Sequence, residues 1–492
     1  MGRLTRRALL FGSGAALGWA AATRLAPWRD TLDGVALVPA PGPALLNDAS
    51  QLSATPVARH VVLKGDPGAA MIAALRRELA EAGAAGRPLC LSAARHSMGG
   101  QSIPRDGHAL TWDNGGVQID SAARTYRAAA GARWSQVIAA LDPLGLSPKV
   151  MQSNHDFGIA ATFSVNAHGW PVPFGPMGAT VRSLELMLPD GQIVTASRRE
   201  NPQLFAMAMG GYGLIGLILS VEAEAVPNAR LIPTFQQVAG ADLAQAFAGA
   251  LADPAVGMAY GRLSVARAGF LQDGLMIAYR PDADQSDLPP AQGSGWASRA
   301  AAAVYRQQLY REPWKHLRWW FESGLNPRLA GSATRNSLMN EPVVTLDDRD
   351  PGRTDILHEY FVSPDRWGDF LDLCRAVIPG SYQEMLNVTI RHVGTDTESW
   401  LSYAPVPRLA AVMSFSQEMS ARAEADMARL TRDLIEGVLA IGGSYYLPYR
   451  PHATVAQFHR AYPRATEFAA RKRELDPGLR LRNALWDNYL GV

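Results

Sequence analysis

"PLCLSAARHSMGGQS", residues 88–102, decides how the rest of the chain is read. Leu89, Cys90 and Leu91 form a short apolar run after a proline, which predicts a strand. The stretch behind it crowds a basic residue, a histidine, two glycines and two hydroxyls into a turn. Upstream, "ARHVVLKG" (58–65) predicts another strand. Asp66 and Pro67 then supply a cap and a first helical residue before Met71, Ile72, Leu75 and Leu79 recur at helical spacing, ended by Gly83 and Gly86. His96 therefore falls in a turn at the carboxyl end of a strand in a β-α-β unit, where α/β folds place ligands. The turn is either a surface loop or a cradle for a phosphate or a ring-shaped cofactor.

Composition narrows the chemistry. The 492 residues allow two or three lobes and a large core. A net charge of +2 with 19% charged residues and no basic block gives no argument for a nucleic-acid partner. Cys90 and Cys374 are far apart in sequence, so neither a disulfide framework nor a metal-ligand pattern is expected. No H-E-x-x-H or G-x-S-x-G spacing occurs, which removes the commonest metallohydrolase and serine-hydrolase signals and predicts no metal. Small-molecule chemistry is what remains.

Residues 1–28 read as a twin-arginine-type signal or anchor. Arg6 and Arg7 precede a run from Ala8 to Ala22 that is apolar apart from Gly and Ser. That run is short for a membrane span, which needs about 20 predominantly apolar residues. A cleaved signal, a retained anchor and a buried N-terminal helix stay open, and a periplasmic or exported location is expected.

Two further stretches set the organisation. "VRSLELMLPDGQIVTAS" (181–197) alternates leucines with polar residues and turns at Asp190-Gly191, which predicts a hairpin with one buried face. "GGYGLIG" (210–216) holds Gly211, Gly213 and Gly216 at G-x-G-x-x-G spacing. Its context is inverted, because a helical "NPQLFAMAM" precedes it and a strand-like "LILSVEAEAV" follows, whereas the dinucleotide fingerprint needs strand before and helix after. No internal repeat is visible, and "PDADQSDLPPAQGSGWAS" (281–298) reads as an exposed loop.

In order along the chain, "HSMGGQS", "AAGARWSQVIAAL", "DFGIAATFSVNAHG" and "VRSLELMLPDGQIVTASRRENPQLFAMAMGGYGLIGLILSVE" together resemble the FAD domain of the vanillyl-alcohol oxidase and p-cresol methylhydroxylase flavoproteins, nearest to the sugar-alcohol and aldonolactone oxidase branch. The likeness covers nearly all of 45–228 and resumes at the C-terminus with "QFHRAYPRATEFAARKRELDPGLRLRNALWDNYL". It implies an α+β fold: a two-subdomain FAD-binding domain at 29–228, a substrate domain with a largely antiparallel sheet at 229–440, and a segment, 441–492, that packs back on the FAD domain.

The resemblance also assigns roles. It puts the turn Arg95, His96, Ser97, Met98, Gly99, Gly100 and Gln101 around the pyrophosphate, with His96 at the position often bonded covalently to the flavin 8α carbon. A pyrophosphate needs several donors converging at about 2.9 Å, and glycines let the chain come that close. A noncovalent site in which His96 only donates a hydrogen bond stays open. Ser153, Asn154, Phe157, Gly158, Ala161, Ser164, Asn166, His168 and Gly169 belong to the second flavin loop, Gly213 and Gly216 allow close approach, and Ile218 meets the adenine through its backbone. This chain departs at Arg95, where the family has glycine, and at Ala160 and Ala161, where it has paired glycines. Arg95 either pairs with a phosphate oxygen or faces solvent.

For substrate chemistry, "EMLNVTIRHV" (384–393) alternates Leu386, Val388 and Ile390 with Asn387, Thr389 and Arg391, so three polar side chains share one strand face. Arg391 resembles the arginine of a Glu-x-Arg pair that contacts substrate in these oxidases, and Thr389 stands where they carry glutamate. Glu359 and Tyr360 resemble pocket-lining residues. "YYLPYRPHATVAQF" (445–458) offers Tyr446, Tyr449, Arg450 and, for proton transfer, His452. "VYRQQLYREPWKHLRWWFESGL" (304–325) repeats Tyr310, Trp314, Leu317, Trp320 and Phe321 at helical spacing, as a buried helix or as an amphipathic one at a membrane or over a lipid-like substrate. The expected activity is FAD-dependent oxidation of a CH–OH group by hydride transfer to flavin N5, with oxygen or a respiratory carrier as acceptor. The alternatives are a membrane-associated flavoprotein acting on a lipid-linked sugar and a non-catalytic flavin-binding or electron-transfer module.

Overall fold

The computed structural model describes residues 45–293, 304–342 and 350–492. The signal-type segment and the end of the 281–298 loop lie outside the described residues. After a two-stranded antiparallel pair, β1 (Leu45–Leu46) and β2 (Thr55–Pro56), comes a parallel sheet of β3 (Arg59–Leu63), β4 (Leu89–Ser92) and β5 (His108–Trp112) in the order β3-β5-β4. Helix α1 (Ala69–Ala84) crosses over between β3 and β4 because its Met71, Leu75, Leu79 and Ala82 bury against Leu89, Leu110 and Trp112. The helix starts later than the sequence predicts: Gly68 is its N-cap, while the Asp66 carboxylate accepts the N–H of Gly116 and holds the loop before the next strand.

A second, antiparallel sheet combines β6 (Val117–Asp120), β7 (Thr125–Ala129), β8 (Leu146–Pro148), β9 (Val181–Met187), β10 (Ile193–Ser197) and β11 (Leu217–Pro227) in the order β10-β9-β11-β7-β6, with β8 on β11. The predicted hairpin is β9–β10, with Ile193 opposite Met187 and Gly191 in the left-handed region at φ 85°. Helices α2 (Trp134–Leu141) and α3 (Ile159–Ser164) cover this sheet through Trp134, Val137, Ile138 and Phe163. Helix α4 (Pro202–Ala208) precedes the glycine cluster and β11 follows it, so the order is the reverse of a dinucleotide fingerprint.

The third sheet has eight strands: β12 (Arg230–Ala239), β13 (Met258–Leu263), β14 (Asp273–Pro281), β15 (Ala333–Thr334), β16 (Arg353–Val362), β17 (Glu384–Val393), β18 (Arg408–Glu418) and β19 (Ser444–Tyr445). They run antiparallel in the order β15-β12-β14-β13-β17-β18-β16-β19. Helices α5 (Leu243–Ala252), α7 (Trp367–Val377) and α8 (Ala421–Ala440) close one face; Val388 and Ile390 share a core with their Phe247, Leu371 and Leu434. Alternation sends Asn387, Thr389 and Arg391 to the opposite face. Helices α9 (Val455–Ala461) and α10 (Ala465–Leu475) then bring the chain back, and Leu481 bridges to Leu89 at the edge of the parallel sheet.

Helix α6 (Glu312–Trp320) and the π-helical turn Phe321–Leu325 correct the expectation of a buried helix. The apolar stripe points outward, with Tyr310, Leu317, Trp320 and Phe321 exposed, while Lys315 is buried in an ion pair with Glu384. Among the described residues no helix is long and apolar enough to cross a membrane.

Candidate functional site

A cavity of about 680 Å³ lies between the loops of the first two sheets and the open face of the eight-stranded sheet. This is within the roughly 300–1,000 Å³ typical of small-molecule sites. On the loop side it is lined by Arg95, His96, Ser97, Met98 and Gln101, by Ser153, Asn154, Phe157, Gly158, Ala161, Ser164 and His168, and by Gly213, Gly216 and Ile218. Gly99, Gly100, Asn166 and Gly169, expected there too, are corrected to packing roles. Gly99 donates its N–H to the Gln101 side chain at 2.9 Å, and a Cβ on it would stand 2.7 Å from the carbonyl oxygen of Tyr449. Gly100, at φ 72°, donates to Asp48 at 2.7 Å. Asn166 bonds Asp396, Ser399 and the N–H of Gly178, and Gly169 passes so close to Met151 that a Cβ would fall 2.0 Å from its carbonyl oxygen.

The turn after β4 has the properties of an anion cradle. The N–H groups of Arg95, His96 and Ser97 have no protein acceptor among the described residues, and Arg95 is left-handed at φ 52°, the alternation that forms a backbone nest. Arg95 does not face solvent: it is 3% exposed, Nη1 donates to Thr111 at 2.7 Å, and Nε and Nη2 are buried without partners. Burial pulls its pKa down to about 10, still charged at neutral pH. His96 packs 4.4 Å from the Phe157 ring with Nε2 unpaired, and burial lowers its pKa. Gly158 is needed where it is, since a Cβ would meet that of Ala93 at 2.3 Å.

Across the cavity the sheet presents a row set by strand register. Arg262 on β13 pairs with Thr389 on β17, Thr389 with Val412 on β18, and Val412 with Glu359 on β16. A carboxylate is therefore present on this face, two strands away from the position where sequence comparison finds threonine. Glu359, 3% exposed, receives Nε2 of His168 at one oxygen and the Tyr449 hydroxyl at 3.2 Å at the other. Burial raises the Tyr449 pKa well above its ordinary value, reinforced by Glu359, so this phenol stays protonated. Arg391 lines the same face; its Nη2 donates to Ser153 at 3.1 Å and its Nε is buried without a partner.

His452 is not part of this group. It bonds Glu424 at 2.8 Å and Thr431 at 3.2 Å behind the sheet, which removes it as the proton-transfer residue. Sequence reading found Glu359, His168 and Tyr449 one at a time, but not that they meet. It missed Arg262, Tyr305, Arg318 and Glu322, which also line the cavity. Arg262 carried only the alternation of "MAYGRL" as a signal, and facing residues are assigned by register, which one strand does not contain.

Residues 69–197 match the profile of the FAD binding domain family. The chain carries an FAD-binding domain. Cytokinin dehydrogenase 8 of Oryza sativa subsp. indica is 30% identical over 140 residues, 27% of this chain and 26% of that protein. The alditol oxidase of a Streptomyces species is 29% identical over 141 residues, 28% of this chain and 34% of that one. These matches thus span about a quarter to a third of the relatives' own length. In fold, 6-hydroxy-D-nicotine oxidase from Arthrobacter nicotinovorans is similar along 93% of this chain and 96% of its own, with a TM-score of 0.59 at 14% identity. FAD is the cofactor of this domain. The unpaired N–H groups at 95–97, the buried Arg95 guanidinium and the small residues Gly158, Ala160 and Ala161 at the cavity fit a diphosphate and a flat ring.

Proposed function

We propose that the protein is an FAD-dependent oxidoreductase that oxidises a CH–OH group of a sugar alcohol, lactone or related polyol. The observation that carries this reading is the Glu359–His168–Tyr449 cluster facing the cofactor loops across one cavity, with Arg391 beside it. Bound FAD supplies the hydride acceptor. The His168–Glu359 pair takes the proton of the substrate hydroxyl, and Tyr449, held protonated, keeps the carboxylate oriented. The Arg391 guanidinium, its Nε unpaired, binds and polarises the substrate oxygen that becomes the carbonyl. The alditol oxidase relative supports CH–OH as the bond attacked.

The test is anaerobic mixing of the purified holoprotein with xylitol, D-sorbitol and L-galactono-1,4-lactone, followed by visible flavin absorption. Bleaching by at least one of them is expected, and Glu359→Gln slows it by about 10²- to 10⁴-fold, the usual worth of a general base. If only dithionite bleaches the flavin, the protein is an electron-transfer module and the enzymatic reading fails.

The outward apolar face of α6 favours a second reading, in which the protein works at a membrane. Exposed Trp320 and Phe321 share this segment with exposed Arg311 and Arg328, a mixture of aromatic and basic residues that suits an anionic lipid surface. Cosedimentation with phosphatidylglycerol vesicles, lost in Trp320→Ser/Phe321→Ser, is the expected result. The twin-arginine-type start supports delivery of the folded, flavin-loaded protein out of the cytoplasm.

A further inference from the structure

The cavity wall beyond Thr389 is charged in a way that oxidation of a neutral polyol does not require. Glu322, from the π-helical turn, is shared by two guanidinium groups: Arg262 reaches it through Nε at 3.2 Å and Nη2 at 3.0 Å, and Arg318 at 2.8 Å. Arg262 also donates to Thr389 at 2.7 Å, and Arg318 to Asn387 at 3.1 Å. Asn387 in turn donates to Thr389 at 3.3 Å. The three ionised side chains line the cavity and keep 17%, 14% and 27% of their surface open for Arg262, Arg318 and Glu322, so a ligand can reach them.

Two features of this cluster point to its ligand. It holds two cations and one carboxylate, a surplus of one positive charge taken largely out of water, which is costly until an anion joins it. Its acceptors are also engaged, because both Glu322 oxygens, Asn387 Oδ1 and Thr389 Oγ1 already receive N–H groups. Donors are left over on Arg262, which uses three of its five N–H here, and on the Thr389 hydroxyl, whereas Arg318 spends its terminal N–H groups on Gln308, the Leu386 carbonyl, Asn387 and Glu322 and contributes mainly its charge. Burial alone would favour a protonated Glu322, yet the two arginines hold its pKa down to about 2, so the carboxylate is ionised and cannot itself donate. The nearby Asp355 is held by a bidentate pairing with Arg306.

We infer that Arg262 and Thr389, backed by the charge of Arg318, form a subsite for an oxyanion, so that a hydroxylated carboxylate or phosphate ester is preferred over a neutral polyol. This rests on reading the cavity as the substrate site. Arg262 and Glu359 stand at opposite ends of one row, three interstrand spacings of about 4.8 Å apart. The anion therefore sits toward the β13 end of the cavity and the oxidised carbinol toward the β16 end.

The experiment uses the holoprotein and three matched six-carbon ligands: D-sorbitol, D-gluconate and D-sorbitol 6-phosphate. Binding is followed as a change in the flavin absorption spectrum and turnover as anaerobic bleaching. At least one anion is expected to bind tenfold or more tightly than sorbitol, and the preference to shrink with added salt. Gluconate and phosphate ester separate the carboxylate from the phosphate version. Arg262→Gln weakens the preference and Glu322→Gln strengthens it, so the opposite signs remain readable if one variant fails to fold. Equal binding of sorbitol and both anions, or a Glu322→Gln variant with unchanged anion affinity, overturns the subsite. Anions that bind with the expected signs but never bleach the flavin leave the subsite standing and remove the oxidation reading. Sorbitol that bleaches it while neither anion binds does the reverse.

Discussion

His96 is set up by burial before any cofactor arrives. Desolvation disfavours the imidazolium, Arg133 adds to this, and Asp156 opposes it without prevailing, so the ring is neutral at pH 7. A neutral ring with Nε2 unpaired at the cavity is suited to a bond with the cofactor. Acid precipitation tests it: flavin colour is expected to stay in the pellet of the wild-type protein and to be missing from the His96→Ala pellet. Colour released from the wild type means that His96 only donates a hydrogen bond. The turn itself was legible at this scale, since a basic residue, a histidine and glycines after a strand suffice to mark it. The fate of Arg95 was not. Whether it met a phosphate or solvent depended on Thr111, sixteen residues on, taking one of its nitrogens and the core enclosing the rest.

Among elements, β16 has two chemical faces. Glu359 points to the cavity, while its neighbour His358 points behind the sheet, where Thr431 of α8 sits between His358 and His452 at 3.2 Å from each. Burial, helped by His452, lowers the His358 pKa to about 3, so the folded state excludes a proton that the unfolded chain accepts near 6.5. Stability contributed by this site is therefore complete above about pH 6.5 and falls as pH drops toward 3, by at most about 1.4 kcal/mol per pH unit for one proton. Chemical denaturation at pH 7 and pH 5 should show the loss, and His358→Gln should flatten that difference; an unchanged slope means that other groups govern it. The alternation of β17 was legible in sequence because a period of two needs only one strand. The direction of α6 was not. Helical spacing reveals a stripe but not which side is covered, and here the Lys315–Glu384 and Arg318–Glu322 pairs occupy the inner side.

Over the whole molecule, the last segment closes the site that the first builds. Gln101 is the clasp: its carboxamide nitrogen donates to the carbonyls of Leu447 at 2.6 Å and Tyr449 at 3.0 Å, and its oxygen accepts the N–H of Gly99. Met98 donates to Pro448 at 2.7 Å alongside. The order of the domains was legible from the order of the motifs, but this contact, between positions nearly 350 apart, was not, because a glutamine in a turn carries no mark of its partner. The clasp also sets Tyr449 beside Glu359, so the turn that holds His96 and the Glu359 side of the cavity are tied together through the 447–449 backbone. Gln101→Ala removes three hydrogen bonds in a buried place, where each unmet partner costs about 1–3 kcal/mol. The expected result is a lower Tm, faster proteolytic cleavage within residues 441–452, and brighter flavin fluorescence as the ring becomes exposed. These readouts hold whether or not the flavin is covalently attached. If Gln101→Ala matches the wild type in all three, the segment is held by its apolar contacts, such as Leu481 against Leu89, and the carboxamide is dispensable.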